Sequence, residues 1–129
     1  MIEQVMHVLD ETRAASVRAV CELIVPGCAR VGAEVYVDAL LARMPADARD
    51  DALAAFDELA GPSEQGREAL AAHALSPAFQ LVRALACEAF YSDFVAPRAA
   101  GPGAWQEIDF VSPLTARLNK DWSYLGVTK

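Results

Sequence analysis

The sequence lacks any apolar run near the roughly 20 residues of a membrane-spanning helix, so a membrane span is not expected. Histidine is scarce: His7 and His73 lie far apart with no second ligand at i+4, which argues against a metal site. The three cysteines, Cys21, Cys28 and Cys87, form no CxxC pair. Cys21 and Cys87 fall on predicted apolar helix faces, where a free thiol behaves as a small hydrophobe; a disulfide involving Cys28 is the alternative. There is no GxGxxG after a strand, no P-loop and no GxSxG. The only clustered glycines, Gly101 and Gly103, flank Pro102, which removes an amide donor from any phosphate-cradling loop. Basic side chains are also few. Eleven Lys and Arg against eighteen Asp and Glu leave a net charge of -7, which argues against a nucleic-acid partner.

What is present is alanine-rich apolar sequence. Of 129 residues, 54% are hydrophobic, and the length suits one domain with a modest core. Alanine favours helix but fills little volume, so Leu, Val, Phe and Trp must supply the bulk. Such an apolar excess in a small chain predicts that a partner covers some of the surface. The charge is uneven: residues 1–78 carry the whole net charge of -7, and residues 79–129 balance. Eight of the ten aromatic residues lie from Phe79 onward, mostly where regular structure is hard to read. An acid-rich, solvated front and a neutral, aromatic, contact-making tail are the expectation.

The periodicity is helical nearly throughout. Val17, Val20, Cys21 and Ile24 form one face, with Asp10 or Thr12 as N-cap, and Pro26-Gly27 ends that helix. After a loop, a second helix spans about Ala33 to Arg43. Pro45 opens a third, whose stripe of Leu53, Phe56 and Leu59 runs to Gly61-Pro62; a fourth covers Ser63–Leu75. Ser76-Pro77 caps the fifth, Ala78 to Tyr91, which is apolar enough to be expected at the centre. Beyond Asp93 the prolines and glycines break the pattern, and only Ile108 to Val111 suggests a short extended piece. The predicted fold is all-α, a bundle of about five helices with an ordered, irregular C-terminal wrap over residues 94–129.

Two acidic residues stand out chemically. Glu88 lies in the most apolar helix and Asp93 just after it, so each needs a partner to offset desolvation. Arg83, Arg98 and Arg117 are candidates, which predicts a clamp between helix and tail rather than a catalytic pair. Asp50-Asp51 and Asp57-Glu58 read as a solvated face. Trp105 and Trp122 can anchor an interface, or staple the tail to the protein's own bundle, because a large buried area is combined with an indole N–H that still finds an acceptor.

Leu23-Ile-Val-Pro26, Val31-Gly-Ala-Glu-Val-Tyr-Val-Asp38 with Leu40-Leu41, Val82-Arg-Ala-Leu85, Glu88-Ala-Phe-Tyr-Ser-Asp93 and Gly103-Ala-Trp105 with Ile108 and Phe110 occur in that order. Together they resemble the gluconate 2-dehydrogenase subunit 3 family over about residues 15 to 111. The resemblance implies a small helical accessory subunit without an active site, bound to a large flavoprotein of the glucose–methanol–choline type. FAD would then sit in the partner, which oxidises a sugar, sugar acid or glycoside, and this chain would hold no cofactor. Three features depart from the family pattern. Phe94 stands where a proline commonly follows Ser-Asp, and Val95–Ala100 has no Tyr-Gly-Gly-Asn run. The family's frequent twin-arginine export signal is missing, which leads to a cytoplasmic expectation. Asp121-Trp-Ser-Tyr-Leu-Gly126 extends past the pattern.

The residues expected at a partner interface are accordingly Phe94, Trp105, Phe110, Trp122 and Tyr124. Two rival readings remain: a free-standing helical module holding a small apolar ligand among Phe56, Phe79 and Phe90, and a small enzyme using Glu88 or Asp93 as general base.

Overall fold

Asp10 starts the first helix. Its carboxylate accepts the Arg13 N–H at 2.7 Å, and Glu11 follows in the first turn, where negative charge suits the helix dipole. In the computed structural model, which describes residues 5–110 and 122–127, the helices are α1 (Glu11–Ile24), α2 (Cys28–Val31), α3 (Ala33–Arg43), α4 (Ala46–Glu64), α5 (Arg67–Ala71), α6 (Pro77–Tyr91) and α7 (Ala104–Glu107). A 3-10 turn, Ser123–Leu125, follows, and no strand occurs among the described residues. The fold is all-α.

Pro26 holds Val25 in an extended conformation and stops α1, as a residue before proline requires. The sequence between there and α3 reads as a loop, yet it forms the single-turn α2. Glu22 makes that turn possible: its carboxylate accepts the N–H groups of Gly27 (3.0 Å) and Ala29 (2.9 Å) at the exposed start of the helix. Gly27 must be glycine for two reasons. Its φ is +109°, and a Cβ there would lie 2.6 Å from the Phe90 ring.

α4 does not stop at Gly61-Pro62 as predicted but continues to Glu64. Pro62 therefore lies inside its last turn, where it leaves the Glu58 carbonyl without its usual i+4 donor. The Ser63 hydroxyl donates to the Ala60 carbonyl at 2.7 Å. The expected fourth helix is correspondingly shorter: α5 covers only Arg67–Ala71, and turns carry the chain to Ser76. Ser76 caps α6 by accepting the Phe79 N–H at 3.1 Å, with Pro77 at the first position.

The most deeply buried helix is α3, not α6. Eight of its eleven residues are buried: Ala33 to Ala39 and Leu41. It is enclosed by α1, α2, α4, α6 and the 3-10 turn. α6 packs mainly on α4 and keeps a solvent stripe of Gln80, Ala84, Glu88 and Tyr91. Apolar content alone points to α6, which touches as many elements, but a larger share of α3 is buried. Asp38 shows how α3 can bury an acid. It is 1% exposed, and its oxygens accept the backbone N–H groups of His7 (2.7 Å), Val8 (2.8 Å) and Leu9 (2.8 Å). The core also takes Val17, Val20, Leu59, Leu70 and Val82 from the surrounding helices.

Candidate functional site

The tail begins at Asp93, a non-glycine residue with φ of +67°. Its buried carboxylate accepts the Trp105 N–H at 3.1 Å, which ties the end of α6 to the start of α7. Gly103 lies so close to this carboxylate that a Cβ there would collide with it. Between these points, Ala96 N–H donates to the Val31 carbonyl at 2.8 Å. Arg30 reaches across from α2 to the Pro102 carbonyl (3.2 Å) and to Glu107 (2.6 Å). The tail is therefore fixed to the bundle by backbone bonds and charge as well as by its rings.

Two aromatic groups result. In the first, the Trp105 indole donates to the Tyr91 carbonyl at 3.0 Å and meets the Phe110 ring edge-on at 5.4 Å. Tyr91, Ile108 and Phe110 around it are exposed, at 57%, 68% and 50%. In the second, Phe94 lies between Tyr36 (5.2 Å) and Trp122 (5.3 Å), and Trp122 passes outward to the exposed Tyr124 at 6.1 Å. Such ring pairs contribute about 0.5–1.5 kcal/mol beyond the area they bury.

Phe94 therefore departs from its expected place at a partner interface. It is fully buried, because it seals the gap between α3 and the Trp122 turn. Trp105 and Trp122 are half-buried, with one side on the protein's own core. Phe110 and Tyr124 are on the surface. The expected extended piece at Ile108 is a turn, with Asp109 at φ of +56°; its end at Val111 lies outside the described residues. Phe56 and Phe90 are buried and Phe79 packs against the same core.

Glu88 also differs from expectation. It belongs to the exposed stripe of α6, and among the described residues it forms no ion pair with Arg83 or Arg98; Arg117 lies outside them. Glu88 instead faces the Tyr36 hydroxyl. Burial first, and this carboxylate next, push the Tyr36 phenol up to about 12. A neutral tyrosine is thus maintained beneath the aromatic tail.

The three thiols are free. Cys21 and Cys28 are buried side by side; the Cys28 thiol, then burial, push Cys21 well above the ordinary range, so it stays protonated. Among the described residues no group of three His, Cys, Asp or Glu is arranged to hold a metal ion, and no helix is long and apolar enough to cross a membrane.

A second acid of α3, Glu34, goes unremarked in the sequence reading. It is 8% exposed, and burial raises its pKa above the ordinary carboxyl value although Arg18 opposes the shift. Arg18 Nε lies 3.4 Å from one oxygen; the other, Oε2, is buried with no hydrogen-bond partner among the described residues. The signal was available, since Glu34 stands in the apolar run Val31-Gly-Ala-Glu-Val-Tyr-Val. Comparison with protein-family models, with curated proteins and with solved structures gives no match.

Proposed function

We propose that this chain is a non-catalytic small subunit that binds and stabilises an FAD-dependent oxidoreductase acting on a sugar, sugar acid or glycoside. The observation that carries the reading is the face formed by Tyr91, Ile108 and Phe110 around Trp105. These side chains are large, apolar and exposed, yet the backbone beneath them is held by Asp93, Arg30 and the Trp105 indole. A rigid aromatic surface loses little entropy on docking, and so suits a stable complex. The ordered motifs from Leu23 to Phe110 that resemble the gluconate 2-dehydrogenase subunit 3 family supply the kind of partner. FAD belongs to that partner, and the complex is cytoplasmic.

The test is purification of the tagged chain from its native cells together with any flavoprotein bound to it. The two should elute together with flavin absorbance, and Tyr91→Ala with Phe110→Ala should weaken the complex by more than about 2 kcal/mol. A flavoprotein that purifies loaded and active without this chain, while the chain remains a stable monomer, rules the reading out.

A further inference from the structure

A cavity of about 420 Å³ lies between α1, the α2–α3 junction and residues 96–100 at the start of the tail. That volume is within the range of small-molecule sites. Its walls carry Arg18, Arg30 and Arg98, a local positive cluster in a protein of net charge -7. Its floor is small, because Gly32 packs on Ala96 so closely that a Cβ would lie 2.7 Å from the alanine methyl. Glu34 lines it too, with its Oε1 beside Gly32 and Arg18.

The two kinds of charge define what fits. A simple anion would be drawn by the arginines but would meet the Glu34 carboxylate. A simple cation would suit Glu34 but meet three guanidinium groups. Arg30 is already engaged by Glu107 and the Pro102 carbonyl, whereas Arg98 makes no hydrogen bond or ion pair among the described residues. Arg18, half exposed, is held only by its 3.4 Å contact to Glu34. Arg18 and Arg98 are thus free to grip a carboxylate with paired N–H donors. Once Arg18 turns to that carboxylate, Glu34 is left to accept from a donor on the same molecule. The acceptor is then the Oε1 that Arg18 releases, and a buried carboxylate oxygen left without its donor gains most from such a bond.

We propose that this cavity binds a small carboxylate carrying a hydroxyl or ammonium donor on the carbon next to its carboxyl group. The site needs no partner chain, so it stands or falls separately from the docking function.

The experiment titrates the ¹⁵N-labelled full-length chain with L-lactate and L-alanine, using acetate and methylammonium as one-ended controls. Saturable shifts are expected in the amides of residues 29–35 and 96–100 with at least one two-ended probe. Which of the two binds identifies the donor. Acetate and methylammonium should bind at least about tenfold more weakly, as loss of one charge-assisted contact requires. Arg98→Ala, which removes an exposed side chain with no partner among the described residues, and Glu34→Gln should each weaken binding by a similar factor while leaving the spectrum folded. The proposal is overturned if neither two-ended probe saturates, if acetate binds as well, or if both variants bind like the wild type.

Discussion

Asp38 and Glu34 lie one helical turn apart on α3, both buried and both acidic, yet their situations are opposite. Asp38 receives three backbone N–H groups; Glu34 leaves an oxygen without a donor among the described residues. Removing Asp38 would strand the amides of His7, Val8 and Leu9. Asp38→Ala should cost about 3 kcal/mol or more, and those three amides should exchange hydrogen faster than the rest of the chain. For Glu34 the sign reverses. Its pKa is raised in the folded state, so between the ordinary carboxyl value and the raised one the native state holds the proton more often than the unfolded state. Stability due to this group is therefore present at low pH and is lost as pH rises through the folded pKa. Glu34→Gln should be more stable than the wild type at neutral pH, with the advantage vanishing on acidification. Urea titrations at both pH values check this, and an advantage that grows toward low pH would contradict it.

At the scale of elements, the four long helices α1, α3, α4 and α6 were legible because apolar periodicity persists over three turns or more. A four-residue helix has no periodicity to read, and α2 exists because Glu22 serves its amides from outside. Pro62 misled because proline lowers the odds of helix without forbidding it, and α4 runs through it to Glu64. That α3 is buried more deeply than α6 was hidden for a related reason. Hydropathy ranks helices by composition, whereas α3 is buried because Asp38 and Tyr36 are received by chain segments distant in sequence. Part of the candidate site was legible too. Asp93 and the tail aromatics stand out by residue type, but that Phe94 points inward and Phe110 outward is decided by the turn at Asp93 and the packing of α7. Gly103 tests this arrangement. Gly103→Ala would drive a methyl into the Asp93 carboxylate and should cost about 1–3 kcal/mol. In a Trp122→Phe background, Trp105 fluorescence should shift to the red as the α7 turn lifts from α6. An unchanged spectrum would mean that Asp93 does not hold the tail.

On the scale of the whole molecule, charge and aromatics are segregated along the chain but meet in the fold. The acidic residues of α4, Asp47, Asp50, Asp51, Asp57 and Glu58, are exposed, and the face of Tyr91, Ile108 and Phe110 is itself bordered by exposed Glu88, Glu107 and Asp109. An apolar centre with a polar rim is the arrangement of a contact surface. A different consequence follows from the His7 ring, whose Nε2 lies 3.3 Å from the Gly126 carbonyl. Residues 119 positions apart meet beside α3, so the path of the chain nearly closes on itself. Its order of connection is then interchangeable. A short linker joining residues 5 and 127, with the chain opened at the turn of Gln65 and Gly66, should leave the described helices in place and preserve a cooperative thermal transition. Such a permutant would begin at α5 and finish at α4. It would carry the tail and its aromatic face in the middle of the sequence, where no free end can move them.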